Sequence, residues 1–261
     1  MCLILIAWKA REDLPLVVAA NRDEWRERPA EAAQWWPGHP QLLAGRDLQA
    51  GGTWMGVTRA GRFAAVTNFR DPSERRSTAR SRGTLVTEFL LGSEGPRAFL
   101  EAVARHAAED NAFNLIVGDG ESLWCYGSRD GPPRAIEPGI HGLSNHVLDE
   151  PWPKVVRGRA AMARAMSAPD PTPALFEFLS DTGLARDEDL PGTGVAIDWE
   201  RRLSAALITG ADYGTRASTV LAVSASGSLR FEEHSRGASG EVLGITVNGE
   251  PSRATANPTL A

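Results

Sequence analysis

Apolar and polar positions fall into blocks along this chain, and the blocks come in pairs. Cys2–Trp8 and Leu16–Ala20 are apolar and rich in β-branched residues, and the polar stretch Lys9–Asp13 with Pro15 separates them, which predicts a hairpin. Trp54–Thr58 and Phe63–Asn68 flank Arg59-Ala60-Gly61-Arg62, a second hairpin with glycine in its turn. Phe113–Val117 and Leu123–Tyr126 around Gly118-Asp119-Gly120-Glu121 predict a third, and Ser218–Val223 and Leu229–Glu233 around Ser224–Gly227 a fourth. Between them the period changes. Thr84–Leu91 places Leu85, Phe89 and Leu90 on one side of a helix, and Arg97–Ala108 repeats Ala98, Leu100, Ala102, Val103 and Ala107 at helical intervals after Pro96. Lys154–Met166 and Ala174–Leu179 form a second helical pair, broken by Pro169, Pro171 and Pro173.

Strands in hairpins and helices in pairs do not suit a parallel sheet. They predict an α+β fold, a sandwich of antiparallel sheets covered by helices. Residues 1–245 are expected to form one domain, and the polar, proline-containing residues 246–261 a flexible C-terminal tail. At 261 residues with 42% hydrophobic and 23% charged positions, the chain is neither disordered, collagen-like nor a coiled coil. Its net charge of −5 offers no basic field for nucleic acid. No apolar run is long enough for a membrane span, and the apolar start lacks the basic residues of a signal peptide, so a cytoplasmic location is expected. Two cysteines are too few for a disulfide framework or a four-thiolate zinc site, and His39, His106, His141, His146 and His234 show no metal-ligand spacing. No metal is expected.

The first hairpin makes the most useful prediction about chemistry. If Trp8 pairs near Pro15, paired residue numbers sum to about 23, and Cys2 lies opposite roughly Asn21. A thiol is thereby delivered to Asn21-Arg22-Asp23-Glu24, an amide, a cation and two carboxylates at the end of a strand. Removal of Met1 would leave Cys2 with a free α-amino group, whose pKa of about 7.7–8.0 lies close to a thiol's value of about 8.5. Such an amine can take the thiol proton, Arg22 favours the thiolate, and Asp23 can hold the ammonium or orient the sulfur. One residue then supplies both nucleophile and base. Asn21, Glu24 and Trp54 are the expected substrate contacts. Cys125, between Trp124 and Tyr126, is expected in the core. Gly51-Gly52 marks either a bulge or a close backbone approach to a ligand.

At these residues the chain resembles the NRDE family, also called the transport and Golgi organisation protein 2 family. The matching blocks are Met1-Cys2, Asn21-Arg22-Asp23-Glu24, Gly51-Gly52-Thr53-Trp54-Met55-Gly56, Val66-Thr67-Asn68-Phe69-Arg70, Gly142-Leu143-Ser144-Asn145 and Tyr213–Val220. That family is in turn similar to N-terminal nucleophile (Ntn) hydrolases of the penicillin acylase and bile-salt hydrolase type. The resemblance implies an Ntn-hydrolase-like αββα fold, Cys2 as nucleophile, Asp23 as partner of the amine and thiol, Asn68 and Asn145 near an oxyanion hole, and Arg216 as the cation beside the nucleophile. One departure is that Ala19 and Ala20 stand where such hydrolases carry an arginine, while Arg22 lies inside the run.

Two functions follow as expectations. The first is a cysteine amidohydrolase that cleaves a small-molecule amide or thioester with an apolar acyl part and requires no cofactor. The second, implied by the resemblance, is a non-catalytic protein that binds and moves haem or acyl-CoA-type lipid on the same fold.

Overall fold

The run from Leu3 to Ala7 contains no polar residue because both faces of the strand it forms are covered. In the computed structural model, which describes residues 2–72 and 80–251, this strand, β1 (Cys2–Trp8), pairs with β2 (Leu16–Trp25) and β10 (Gly139–Leu143). The remaining strands are β3 (Ala30–Trp36), β4 (His39–Asp47), β5 (Met55–Thr58), β6 (Phe63–Asn68), β7 (Phe113–Gly118), β8 (Leu123–Gly127), β9 (Arg134–Ala135), β11 (Tyr213–Val223), β12 (Leu229–Arg236), β13 (Val242–Val247) and β14 (Glu250–Pro251). They make two seven-stranded antiparallel sheets, ordered β10-β1-β2-β11-β12-β13-β14 and β3-β4-β5-β6-β7-β8-β9. All four expected hairpins are present as neighbouring strands.

Side chains alternate between the faces of each sheet, so each sheet feeds two cores. Ile4, Ile6, Val18 and Leu221 meet Met55, Val57, Phe63 and Ile116 between the sheets. On the outside, Leu3, Leu5, Val17, Ala19 and Val220 pack under helices α3 (Pro153–Ala165) and α4 (Thr172–Leu179) through Val155, Met162, Leu175 and Leu179. On the opposite outside, Leu42, Ala64, Leu115 and Val117 pack under α1 (Arg82–Leu91) and α2 (Pro96–His106) through Leu85, Phe89, Leu100 and Val103. The layers therefore run αββα. A short helix α5 (Ile197–Leu203) precedes β11.

Three features depart from the sequence reading. Strands β3 and β4 were not expected, because neither contains a valine, isoleucine or threonine; the turn Pro37-Gly38 and pairing with β5 make them strands. Second, Asn21-Arg22-Asp23-Glu24 lies inside β2, which runs on to Trp25 because β11 pairs with it along its whole length. Third, pairing does not stop at residue 245: β13 continues to Val247 and β14 pairs with it, and the rest of the expected tail, residues 252–261, lies outside the described residues.

Gly52 does mark a close backbone approach, but to helix α1 and not to a ligand. A Cβ at Gly52 would lie 2.5 Å from the Gly83 carbonyl carbon. Gly52→Ala should therefore cost about 1–3 kcal/mol of stability. The check is the urea midpoint at unchanged slope; an unaltered midpoint would show that the start of α1 yields freely.

Candidate active site

Register decides which side chains can meet. Cys2 pairs with Arg22 and Leu3 with Asn21, so the pairing is one step from the expected one. Because side chains alternate, that single step sorts the polar run onto two faces. Cys2, Ile4, Ala20 and Arg22 share the face between the sheets, where with Trp54 and Met55 they line a narrow cleft. The cleft has a volume of about 10 Å³, room for one water-sized group. Asn21 borders it but spends its amide on the helix layer, donating to the carbonyls of Leu179 at 2.9 Å and Ala206 at 2.7 Å. Its expected role as a substrate contact is replaced by a structural one.

Arg22 lies over the Trp54 ring, 4.3 Å from its centroid, with Nη2 3.9 Å from Asp47 Oδ2. Trp54 reaches this position across Gly45, where a Cβ would come within 2.3 Å of the indole. Glu24 accepts from the Trp25 N–H at 2.9 Å and lies 3.9 Å from Arg28; it stands outside the cleft lining.

Asn145 lies two residues beyond Leu143, the partner of Ile4, and is therefore level with Cys2. The Ser144 hydroxyl donates to the Cys2 carbonyl at 3.2 Å. Asn145 is fully buried and donates Nδ2 to the Asn68 carbonyl at 2.9 Å. The half-buried Asn68 side chain makes no hydrogen bond among the described residues. Folding thus brings Cys2, Arg22, Asn68 and Asn145 together from three strands and one loop.

Arg216 does not project as an open cation. It occupies the β-bulge between Thr215 and Ala217, and its Nη1 donates to the carbonyls of Trp25, Arg26 and Arg28 at 2.9–3.1 Å. Burial, Arg22 and Arg26 lower its pKa. Its contribution is to fasten the segment after β2 beside Arg22. The same bulge sets Thr215 opposite Asp23, where its hydroxyl donates to Oδ1 at 2.7 Å.

Asp23 faces the helix layer together with two cations that the sequence reading did not single out. Lys154, in the first turn of α3, is 1% exposed. Arg70, just past β6, pairs through Nη1 with Glu200 Oε2 at 2.7 Å and lies 4.5 Å from the Trp152 ring centroid. Burial pushes the Asp23 carboxyl up, and Lys154 is the strongest opposing influence. Burial also lowers the Lys154 ammonium to about 8, against the pull of Asp23. The Cys2 thiol is raised, first by burial and further by Asp23, while Arg22 acts in the opposite direction. Cys125 is 6% exposed within the inter-sheet core, and burial raises its thiol to about 11. One signal for Lys154 was available in the sequence: a lysine in a helix's first turn opposes the macrodipole and needs a reason to be there.

This arrangement defines the molecule as an αββα sandwich protein with a candidate thiol site at one end of its paired sheets. The chain belongs to the Transport and Golgi organisation 2 family, whose family model matches residues 1–238. It is 34% identical over 258 residues to the Transport and Golgi organization protein 2 homolog of Bos taurus, covering 90% of this chain and 93% of that protein. The Mus musculus homolog is 32% identical over 257 residues, with the same shares covered. Among solved structures, a mutant conjugated bile acid hydrolase from Clostridium perfringens aligns over 97% of both chains at 9% identity and a TM-score of 0.44. An N-acylethanolamine-hydrolyzing acid amidase ortholog from Caenorhabditis elegans aligns over 84% of this chain and 92% of its own at 10% identity and a TM-score of 0.37. Among the described residues no helix is long and apolar enough to cross a membrane, and no group of three or more His, Cys, Asp or Glu is placed to hold a metal ion.

Proposed function

We propose that this protein is a cysteine hydrolase of a small-molecule amide or thioester, with Cys2 as its N-terminal nucleophile once Met1 is removed. The observation that carries this reading is the register: Cys2 opposes Arg22 at a strand start and lines a narrow cleft, with Asn68 and Asn145 alongside. The thiol, raised by burial, needs a base, and the α-amine of the same residue is within reach by construction. The thiol proton passes to that amine as Sγ attacks the carbonyl carbon. The oxyanion is received by the open Asn68 amide, which Asn145 positions through the Asn68 carbonyl. Collapse of the intermediate leaves an S-acyl Cys2 and an amine leaving group that takes the proton back. Water then attacks the thioester and releases the acid.

In a second reading an acyl-bearing ligand such as acyl-CoA, or haem, is held without cleavage; Ile4, Ala20 and Met55 give the cleft an apolar wall, and this reading requires the cleft to widen well beyond its room for one water-sized group. Two measurements separate the readings. Mass spectrometry of the purified protein should find Met1 absent. A thiol-directed acyl probe at pH 7 should label Cys2 at least about 10-fold faster than Cys125, because only Cys2 has an adjacent base and lines a cleft. Equal, slow labelling of both thiols would end the hydrolase reading.

A further inference from the structure

Arg70 and Lys154 carry buried N–H groups that make no hydrogen bond among the described residues, although the Asp23 carboxylate acts on both charges. Arg70 is 7% exposed and Lys154 1% exposed. Glu200 occupies Nη1 of Arg70 and Trp152 supports the guanidinium face, but Nε and Nη2 have no hydrogen-bond partner among the described residues. Lys154 Nζ has none either. Buried polar groups are nearly always paired, and an open charged donor is costly, so open donors on two residues far apart in sequence call for a shared acceptor.

The open atoms have a recognisable shape. Nε and Nη2 form one edge of the guanidinium, two parallel N–H groups that match the two oxygens of a carboxylate. Lys154 and Arg70 act on each other's charge and both act on Asp23, and Lys154 is also within electrostatic reach of the Cys2 sulfur. Asp23 and Glu200 balance Arg70 and Lys154, and Arg157 is paired with Asp181 at 3.8 Å, so an α-ammonium on Cys2 would be the surplus positive charge that an added anion answers. Glu200 is already engaged by Arg70 and by the Thr193 N–H.

We propose that Arg70 and Lys154 form a carboxylate-binding subsite on the helix-layer side of β2, around Asp23, in which Nε and Nη2 of Arg70 take the two oxygens and Lys154 Nζ lies alongside. Under the hydrolase reading, on which only the identity of the ligand as a substrate rests, that substrate is an acid that carries its carboxylate apart from the scissile amide.

The test is binding and not turnover. Calorimetric titration of the full-length Cys2→Ala protein at pH 7 would compare N-octanoylglycine with its uncharged counterpart N-octanoylglycinamide. The acid should bind at least about 10-fold more tightly, a difference of about 1.4 kcal/mol. Arg70→Lys, which keeps a cation for Glu200 but lacks the two-pronged edge, and Lys154→Met should each remove most of that preference. Should Arg70→Lys fail to fold, the comparison of the two ligands and Lys154→Met still decide. Equal affinity for both compounds, no binding of the acid, or a preference unchanged in both variants overturns the subsite. Because no acyl transfer is read, a Cys2 that never acylates together with a retained acid preference removes the hydrolase reading and leaves the subsite standing.

Discussion

Cys2→Ala is expected to abolish hydrolysis of an acyl-amide panel, a loss of at least about 10⁴-fold where wild-type turnover is measurable. Cys125→Ala should leave turnover within about 2-fold, since that thiol is packed between the sheets and burial holds it neutral at about 11. The contrast is a matter of position. Cys2 opens the first strand, where the chain end can supply an amine and where Arg22 stands directly opposite. The pH dependence follows from the direction of the thiol shift. Burial raises the Cys2 thiol, so near pH 7 it is protonated and the rate depends on a neutral amine to accept its proton. An α-amine titrates at about 7.7–8.0, so the rate of the wild-type protein should climb between pH 6 and pH 8. A flat profile over that interval, or wild-type turnover surviving in Cys2→Ala, would remove the thiol from the mechanism. Absence of turnover in both proteins, with haem or acyl-CoA binding retained in both, is the outcome expected if the fold only holds its ligand.

Glu200→Gln is expected to be among the most damaging single substitutions for stability, costing about 3–5 kcal/mol in denaturant unfolding. The Arg70 and Glu200 side chains are each 4% exposed and meet at 2.7 Å. Removing one charge strands the other without solvent, on a guanidinium already short of partners at Nε and Nη2. The carboxylate also accepts from Thr193, through both its backbone N–H and its hydroxyl, so the segment before α5 loosens with it. Replacing both partners by apolar residues, Arg70→Met with Glu200→Leu, should cost clearly less than the single change, because no charge is then left buried alone. An unfolding midpoint within experimental error of wild type for Glu200→Gln would mean that water already screens the pair. The double variant also removes the proposed carboxylate subsite, so it should fold while losing the preference for an acid.

Four hairpins and four of the helices were legible in the chain, since each rests on local periodicity bounded by glycine, proline or polar turns. Strands β3 and β4 were not, because neither contains a valine, isoleucine or threonine, and the pairing of β4 with both β3 and β5 makes them strands. Juxtaposition of Cys2 with the run from Asn21 to Glu24 was also legible, because an antiparallel hairpin keeps a constant sum of paired numbers. The sum itself was not. A shift of one residue moved Asn21 from the thiol's face to the helix layer and put Arg22 in its place.

Local pattern thus determined four hairpins, four helices, the α+β class and the meeting of the N-terminal thiol with a polar run, because each depends on residues near one another in the chain. Tertiary structure alone decided which side chains of that run share a face with the sulfur. It alone turned Arg216 into a clasp on three carbonyls and gathered Arg70, Lys154 and Glu200 around Asp23. In sequence those charged residues are indistinguishable from solvated ones. They differ only once packing removes their water and leaves each N–H either paired or waiting for a ligand.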